Sequence, residues 1–258
     1  MSTIATPARP ATGTLLLHAT GLDKHFGGVH ALQGVDFTVA PGEIVGLVGP
    51  NGSGKSTLLA CLSRAHDVDA GTIAFDDRDI TRTRARTVAR RGLTRTFQNV
   101  KIFPELKVRE NALLARQWDK LKPWQMLGGP DAATRERVDD LLELTQMTRL
   151  ADEFAGNLSG GQKRLLELVM ALVSKPRLVL LDEASSGVNP TLIESLKTYI
   201  RSLHAEEGVS FVIVEHNIGF IFSLASRIVV LDQGKVLADA PPDQIRNNQE
   251  VIDAYLGA

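Results

Sequence analysis

A glycine-rich segment in the first quarter of the chain carries groups that suit a polyphosphate. Its eight residues are Gly49, Pro50, Asn51, Gly52, Ser53, Gly54, Lys55 and Ser56. Two glycines separated by four residues and followed by lysine and serine are a phosphate-loop pattern when a strand precedes and a helix follows. Glycines let backbone N–H groups approach phosphates, and a helix N-terminus favours an anion. Lys55 would then reach the β- and γ-phosphates of a nucleotide, and the Ser56 hydroxyl would ligate Mg²⁺.

Two carboxylates end an apolar run in the second half of the chain. Asp182 and Glu183 follow residues 178–181. Because successive side chains of a strand point to opposite faces, the two acids should have different functions. Asp182 suits Mg²⁺, bound directly or through water, and Glu183 suits the base that polarises an attacking water. Alone, such a pair is more typical of a solvated turn, but the phosphate loop favours the catalytic interpretation.

A third apolar run, residues 211–214, is followed by Glu215 and His216. A single histidine in this position is usually structural. Together with the phosphate loop and the acid pair, His216 becomes a candidate sensor that hydrogen-bonds the γ-phosphate.

A second glycine pair opens an apolar, helix-periodic segment. It reads Leu158, Ser159, Gly160, Gly161 and Gln162. Ser159 and Gln162 have the spacing of a capping box, which alone would explain a well-formed helix start. Capping does not need two glycines, however, and these would expose N–H groups at a helix N-terminus. The segment therefore predicts a second anion site, without a lysine, that could complete a triphosphate pocket formed elsewhere.

The elements that must position these residues follow from the hydrophobic pattern. Short strands are predicted at 15–17, 36–39 and 43–48, and a helix at 57–62, after the phosphate loop. The runs 178–181 and 211–214 are nearly continuous in apolar residues, as in parallel strands covered on both faces. Between 100 and 157 the pattern is helical, with Val138, Leu141, Leu142 and Met147 at helical spacing. An α/β core with an inserted helical lobe is expected.

Composition narrows the function classes. A net charge of -1 over 258 residues gives no field for nucleic acid. The single cysteine, Cys61, is expected to be a small buried side chain, which excludes an internal disulfide and a cysteine-based zinc cluster and fits a reducing compartment. The first dozen residues lack a signal-peptide pattern, and the best candidate span, 219–231, is short and contains Arg227.

From about Leu16 onward, the ordered motifs resemble those of the nucleotide-binding subunits of ABC transporters. The resemblance implies an ATPase with ATP and Mg²⁺ as ligands, in which Leu158–Gln162 caps the nucleotide held by a partner's phosphate loop in a head-to-tail dimer. It implies that Phe26 stacks on adenine, that Gln98 contacts Mg²⁺ and links the core to the helical lobe, and that His216 is the switch histidine. The implied nucleotide-binding residues are Phe26, Gly49, Pro50, Asn51, Gly52, Ser53, Gly54, Lys55, Ser56, Thr57, Ser159, Gly160, Gly161 and Gln162.

The same resemblance implies a layout. The fold would be a P-loop NTPase core with a largely parallel sheet, an N-terminal antiparallel β subdomain and an inserted helical subdomain. Residues 1–12 would be a flexible tail, 13–99 and 175–258 the core with its β subdomain, and 100–174 the helical subdomain.

Three segments, 92–99, 187–190 and 251–257, look most like those of ATPases of branched-chain amino-acid importers. This likeness implies two transmembrane permease subunits, a second and distinct ATPase subunit or a second copy of this chain, and indirectly a periplasmic solute-binding protein, at the cytoplasmic face of the inner membrane. Two positions depart from the common family pattern, because Ala184 stands where proline is usual and Asn189 where aspartate is usual. They leave the role of that loop across the dimer open.

Several alternatives stay open. Lipid, lipopolysaccharide, urea and amide transporters use similar ATPases, as do soluble ABC proteins that do not transport. A P-loop kinase or GTPase is disfavoured, because it has no need of the second glycine motif and the guanine-reading Asn-Lys-x-Asp pattern is missing. Residues 82–95 contain six arginines and no acid. A solvated helix face is the favoured interpretation, with anionic lipid or an acidic partner as the alternative.

Overall fold

Two sheets and their flanking helices make up the computed structural model of the chain, which describes residues 15–96, 102–116, 129–183, 190–215 and 217–256. A six-stranded sheet has the order β10-β9-β3-β8-β7-β6. Its strands are β3 (Ile44–Val48), β6 (Leu93–Arg95), β7 (Leu178–Asp182), β8 (Ser210–Val214), β9 (Arg227–Asp232) and β10 (Lys235–Ala240). All neighbours are parallel except β9 and β10. The carboxyl ends of β3, β7 and β8 therefore meet at one edge.

The central strands β3, β7 and β8 are buried along their whole length, as their apolar runs predicted. Alternate residues of β7 pack into different hydrophobic cores on the two faces of the sheet. Val179 and Leu181 pack in the core that includes helical residues such as Leu141. Leu178 and Leu180 pack in the core shared with the antiparallel sheet. A sheet buried on both faces leaves its strand ends as the place where polar side chains can gather.

The antiparallel sheet has the order β2-β1-β4-β5. Its strands are β1 (Leu17–Phe26), β2 (Val29–Val39), β4 (Ala70–Phe75) and β5 (Arg78–Asp79). The predicted strand at 15–17 was placed too early, because β1 starts at Leu17 and continues to Phe26. The alternation of buried and exposed side chains that marks a strand is interrupted in β1. The causes are register shifts between β1 and β2 and the left-handed Gly21, with φ 59.

The regular structure described between β6 and β7 is helical, apart from one isolated bridge between Lys107 and Phe154. Within the described residues the helices are α1 (Lys55–Leu62), α2 (Ala85–Arg90), α3 (Val108–Leu114), α4 (Ala132–Leu144), α5 (Gly160–Leu172), α6 (Pro190–Glu207), α7 (Ile218–Leu224), α8 (Pro242–Arg246) and α9 (Gln249–Leu256). Short 3₁₀ turns lie at Thr148–Leu150 and Ala155–Asn157. Val138, Leu141 and Leu142 form the buried side of α4. The boundaries of the helical subdomain and of the tail stay predictions.

The apolar segment 219–231 is divided between α7 and β9. Arg227, which interrupts it, donates hydrogen bonds to the carboxylates of Glu43 and Asp239 and to the carbonyl of Thr38. Within the described ranges, no helix is long and apolar enough to cross a membrane. Cys61 is buried, and burial raises the pKa of its thiol to about 11.

Candidate functional site

The phosphate loop connects the buried strand β3 to helix α1, the context that its sequence pattern requires. Gly49, Gly52 and Gly54 all have positive φ values. Gly54 is the N-cap of α1, so Lys55 and Ser56 are the first residues of the helix. Ser56 is exposed, whereas Lys55 is buried. The loop thus presents a helix N-terminus and a hydroxyl at the carboxyl end of the sheet.

Close packing explains why the first and last glycines of the loop, Gly49 and Gly54, cannot be replaced by residues with a side chain. A Cβ on Gly49 would lie 2.0 Å from the carbonyl oxygen of Leu231, and one on Gly54 would lie 2.5 Å from that of Ala31. The turn between β9 and β10 holds the loop from outside, because the N–H of Gly234 donates to the carbonyl of Ser53 at 3.0 Å. The loop is fixed by backbone contacts that any side chain at these glycines would disturb.

Lys55 lies folded into its own loop. Its ammonium donates to the carbonyls of Gly49 at 2.8 Å and Pro50 at 2.7 Å. Burial lowers the pKa of Lys55, while the charges of Glu183 and Asp182 oppose that shift. A cation held by neutral carbonyls beside two carboxylates is positioned to exchange those carbonyls for phosphate oxygens.

The acid pair ends β7, two strands away from β3 in the sheet. Asp182 is 1% exposed, and its N–H donates to the Thr96 hydroxyl at 3.3 Å. Glu183 has φ 53, a left-handed conformation that is costly for a residue with a side chain, and its N–H donates to the carbonyl of Val214 at 2.9 Å. The strand thus ends at Asp182, and Glu183 follows it with a different backbone conformation; the separate functions of the two acids stay a prediction.

Arg95 is a site residue that the sequence reasoning missed. Its Nη2 donates to Oδ2 of Asp182 at 2.7 Å and lies 3.5 Å from the carbonyl oxygen of Ser56. The sequence places Arg95 in the arginine-rich run 82–95, whose Arg82, Arg84 and Arg86 are indeed exposed. Only the pairing of β6 with β7, which spacing does not reveal, brings Arg95 beside the acid pair.

Phe26 ends β1 and is 43% exposed, as a stacking platform must be. The His66 ring meets it edge-on at 5.4 Å between centroids, and Lys24 Nζ lies 5.3 Å from the ring centre. Asp69 fixes this strand end by accepting hydrogen bonds from Lys24 Nζ at 2.8 Å and from the His25 N–H at 2.6 Å. The hydrogen bond from Lys24 is the main cause that lowers the pKa of Asp69 to about 2.

The second glycine motif forms the capping box that its spacing predicts. Ser159 is the N-cap of α5, its hydroxyl accepts from the Gln162 N–H at 3.3 Å, and its own N–H donates to the Gln162 side chain at 2.9 Å. Gly160 is exposed, and a Cβ there would meet nothing within 4 Å. The helix start therefore has free space beside Gly160.

The remaining predicted residues fall into two groups. Within the phosphate loop, Asn51 is exposed, Ser53 is buried, and Pro50 and Thr57 are partly exposed. Gln98, His216 and the loop around Asn189 lie outside the described residues. Their roles stay predictions.

Comparison with known proteins identifies the family. Residues 32–186 match the family described as ABC transporter. The chain belongs to this family. It is an ATP-binding subunit of an ABC transporter, it hydrolyses ATP, and its fold is that of the family's ATP-binding cassettes.

Relatives along nearly the whole chain agree with this family. The high-affinity branched-chain amino acid transport ATP-binding protein BraF of Pseudomonas aeruginosa is 36% identical over 94% of this chain and 98% of its own. LivG of Escherichia coli, described in the same words, is also 36% identical over 94% and 98%. A crystal structure of the ADP conformation of an ATP-binding cassette of an ABC transporter superposes with a TM-score of 0.84 at 29% identity, covering 95% of this chain and all of that one. Residues 235–258 match a further family, described as branched-chain amino acid ATP-binding cassette transporter.

The packing of Gly49 generates a prediction. Gly49→Ala would force a Cβ against the carbonyl of Leu231 at a φ of 149. Such overpacking costs about 1–3 kcal/mol, so we expect ATP affinity to fall by about 5- to 150-fold, measured by titration with a fluorescent ATP analogue. Gly21→Ala is the matched control, because it also has positive φ but opens into free space. Equal affinity in wild type and Gly49→Ala would refute the geometry given for the loop.

Proposed function

We propose that this ABC subunit powers the uptake of branched-chain or other hydrophobic amino acids. The observation that carries the proposal is the match of residues 235–258 to the branched-chain amino acid cassette family, together with 36% identity to BraF and LivG. This support is a likeness and not a contact with cargo, because an ATPase subunit binds nucleotide and not the transported solute. Urea, amide and lipid transport are the alternative cargo classes.

The nucleotide would bind along the carboxyl edge of the six-stranded sheet. The N–H groups of the phosphate loop and the N-terminus of α1 would surround the phosphates, with Lys55 as their counter-charge. Phe26 would stack on adenine, since its ring is exposed and held at its edge by His66. Glu183 would accept a proton from the attacking water, and Gln98 and His216 would contact the metal and the γ-phosphate.

The residues at this edge fit a Mg²⁺ ion. Oδ1 of Asp182 is buried and has no hydrogen-bond partner in the described part of the chain, and Ser56 exposes a hydroxyl at the start of α1. Carboxylate and hydroxyl oxygens are the ligands that Mg²⁺ prefers, together with phosphates. When bound, the ion would neutralise charge on the β- and γ-phosphates. Ser56, Asp182 and Gln98 are the proposed ligands.

The open start of α5 supports a composite site. Gly160 is exposed at the N-terminus of α5 with free space before it, so the N–H groups of this helix start can approach an anion held by another subunit. We propose that Ser159, Gly160, Gly161 and Gln162 cap the nucleotide on a partner's phosphate loop. The partner would be a second, distinct ATPase subunit or a second copy of this chain.

The proposed complex places the subunit at the membrane without inserting it. Two permease subunits would anchor it to the cytoplasmic face of the inner membrane, and a periplasmic binding protein would deliver the solute. The helical subdomain at about 100–174 would supply the docking groove.

The base assignment predicts the behaviour of Glu183→Gln. The amide cannot accept a proton, so we expect phosphate release to fall by at least about 100-fold, while ATP binding persists and holds a dimer together. Phosphate assays and size-exclusion chromatography with ATP measure the two effects. Glu206→Gln, an exposed change on α6, is the control.

Two outcomes would contradict this prediction in different ways. Wild-type turnover in Glu183→Gln would remove the base role. If adding Ser159→Arg to Glu183→Gln left the ATP-dependent dimer unchanged, the proposed role of the second glycine motif across the dimer would be wrong.

The proposed cargo predicts which ligand the solute-binding protein of this transporter binds. We expect genes beside this one to encode two permeases and a solute-binding protein that binds leucine, isoleucine or valine at micromolar concentration or better. Isothermal titration of the purified binding protein measures this, with urea and acetamide as the competing ligands. Binding of urea or acetamide without any of the three amino acids would overturn the cargo assignment and leave the ATPase assignment untouched.

A further inference from the structure

We propose that Arg95 is a positioning residue that orients Asp182 for metal binding. This inference rests on the function proposed above, in which Asp182 is a Mg²⁺ ligand. The observation is a contact between a partly buried guanidinium and a fully buried carboxylate. Nη2 of Arg95 lies 2.7 Å from Oδ2 of Asp182, with the two side chains 14% and 1% exposed.

The sheet register fixes Arg95 in this place. Arg95 is the last residue of β6 and pairs with Leu180 of β7, two residues before Asp182. The next residue, Thr96, donates its N–H to the Leu180 carbonyl at 3.0 Å and accepts the Asp182 N–H at its hydroxyl at 3.3 Å. These hydrogen bonds therefore hold the ends of β6 and β7 together, and the guanidinium reaches the carboxylate from a fixed backbone position.

The two oxygens of Asp182 have different surroundings. Oδ2 accepts the hydrogen bond of Arg95, whereas Oδ1 is buried without a hydrogen-bond partner among the described residues. An ionised carboxylate with 1% exposure needs compensation for lost hydration, and the arginine supplies it. An arginine often engages both oxygens of a carboxylate, but here the hydrogen bond from Arg95 goes to Oδ2. Holding one oxygen and leaving the other free is the arrangement of a partner that orients a metal ligand.

Arg95 also touches the other proposed metal ligand. The same Nη2 lies 3.5 Å from the carbonyl oxygen of Ser56, in the first turn of α1. One guanidinium nitrogen thus lies between the phosphate-binding helix and the acidic strand end. Its loss would release the Asp182 carboxylate to rotate and would loosen the spacing between Ser56 and Asp182.

The test compares nucleotide affinity with and without metal. A fluorescent ATP analogue is titrated into the purified chain in excess Mg²⁺ and in EDTA, and the ratio of the two dissociation constants reports the contribution of the metal. We expect Arg95→Met to reduce this ratio by about tenfold or more, as loss of a partner that orients a metal ligand does. The affinity in EDTA should stay within about twofold, because Arg95 then has no metal ligand to orient. Arg82→Met, an exposed arginine of the same run, is the matched control.

Arg95→Lys tests whether the planar guanidinium is needed or whether a positive charge at this position is enough. Lysine keeps the positive charge but loses the planar fork, so we expect a reduced ratio in this variant as well. If Arg95→Met does not fold, as judged by thermal unfolding, Arg95→Lys decides the question alone. An unchanged ratio in the folded variant would overturn the proposal. A raised ratio would also overturn it, since Arg95 would then compete with the metal.

Asp182→Asn distinguishes failure of this inference from failure of the function on which it rests. We expect this variant to lose most of the Mg²⁺ effect, and adding Arg95→Met to it should then change little. If Asp182→Asn keeps the full Mg²⁺ effect, the metal role of Asp182 is wrong. If Asp182→Asn loses the effect and Arg95→Met keeps it, only the role of Arg95 is wrong.

Discussion

A buried lysine that donates to neutral carbonyls of its own loop, near two carboxylates, is the constraint on which the site depends. Lys55 is 7% exposed and donates to carbonyls of its own loop, while the charges of Asp182 and Glu183 act on it. The sheet enforces this separation, because β8 lies between the strand that carries the loop and the strand that carries the acids. The opposite charges therefore stand at the ends of two strands that are separated by a third.

Parallel pairing is what brings the two charges to one edge. Ligands of open α/β sheets bind beyond the carboxyl ends of their strands, and here β3, β7 and β8 end together. Each strand is buried on both faces, so its polar residues can stand only at its ends. The same burial makes the strands apolar and therefore recognisable in the sequence.

Local sequence patterns predicted the parts of the site whose residues are close together in the sequence. The phosphate loop, the acid pair and the Ser159 capping box each lie within eight residues, and each has the predicted surroundings in the structure. Arg95 was missed because its partner Asp182 is 87 residues away and the order of strands in the sheet cannot be inferred from sequence spacing. The hydrogen bonds by which Asp69 fixes the end of β1 were missed for the same reason, since they join it to Lys24 and His25, 45 and 44 residues away. Strand β1 was underestimated because its register shifts hide the alternation.

We propose that the charge of Lys55 serves the phosphates of ATP rather than the fold. Equilibrium binding of a fluorescent ATP analogue to Lys55→Met tests it most directly, alongside thermal unfolding of both proteins. A charge-assisted hydrogen bond contributes about 1.5–3 kcal/mol, so we expect a loss of affinity of about 10- to 150-fold, with the unfolding temperature unchanged or raised. ATP affinity within twofold of wild type, or a variant that loses its fold, would contradict it.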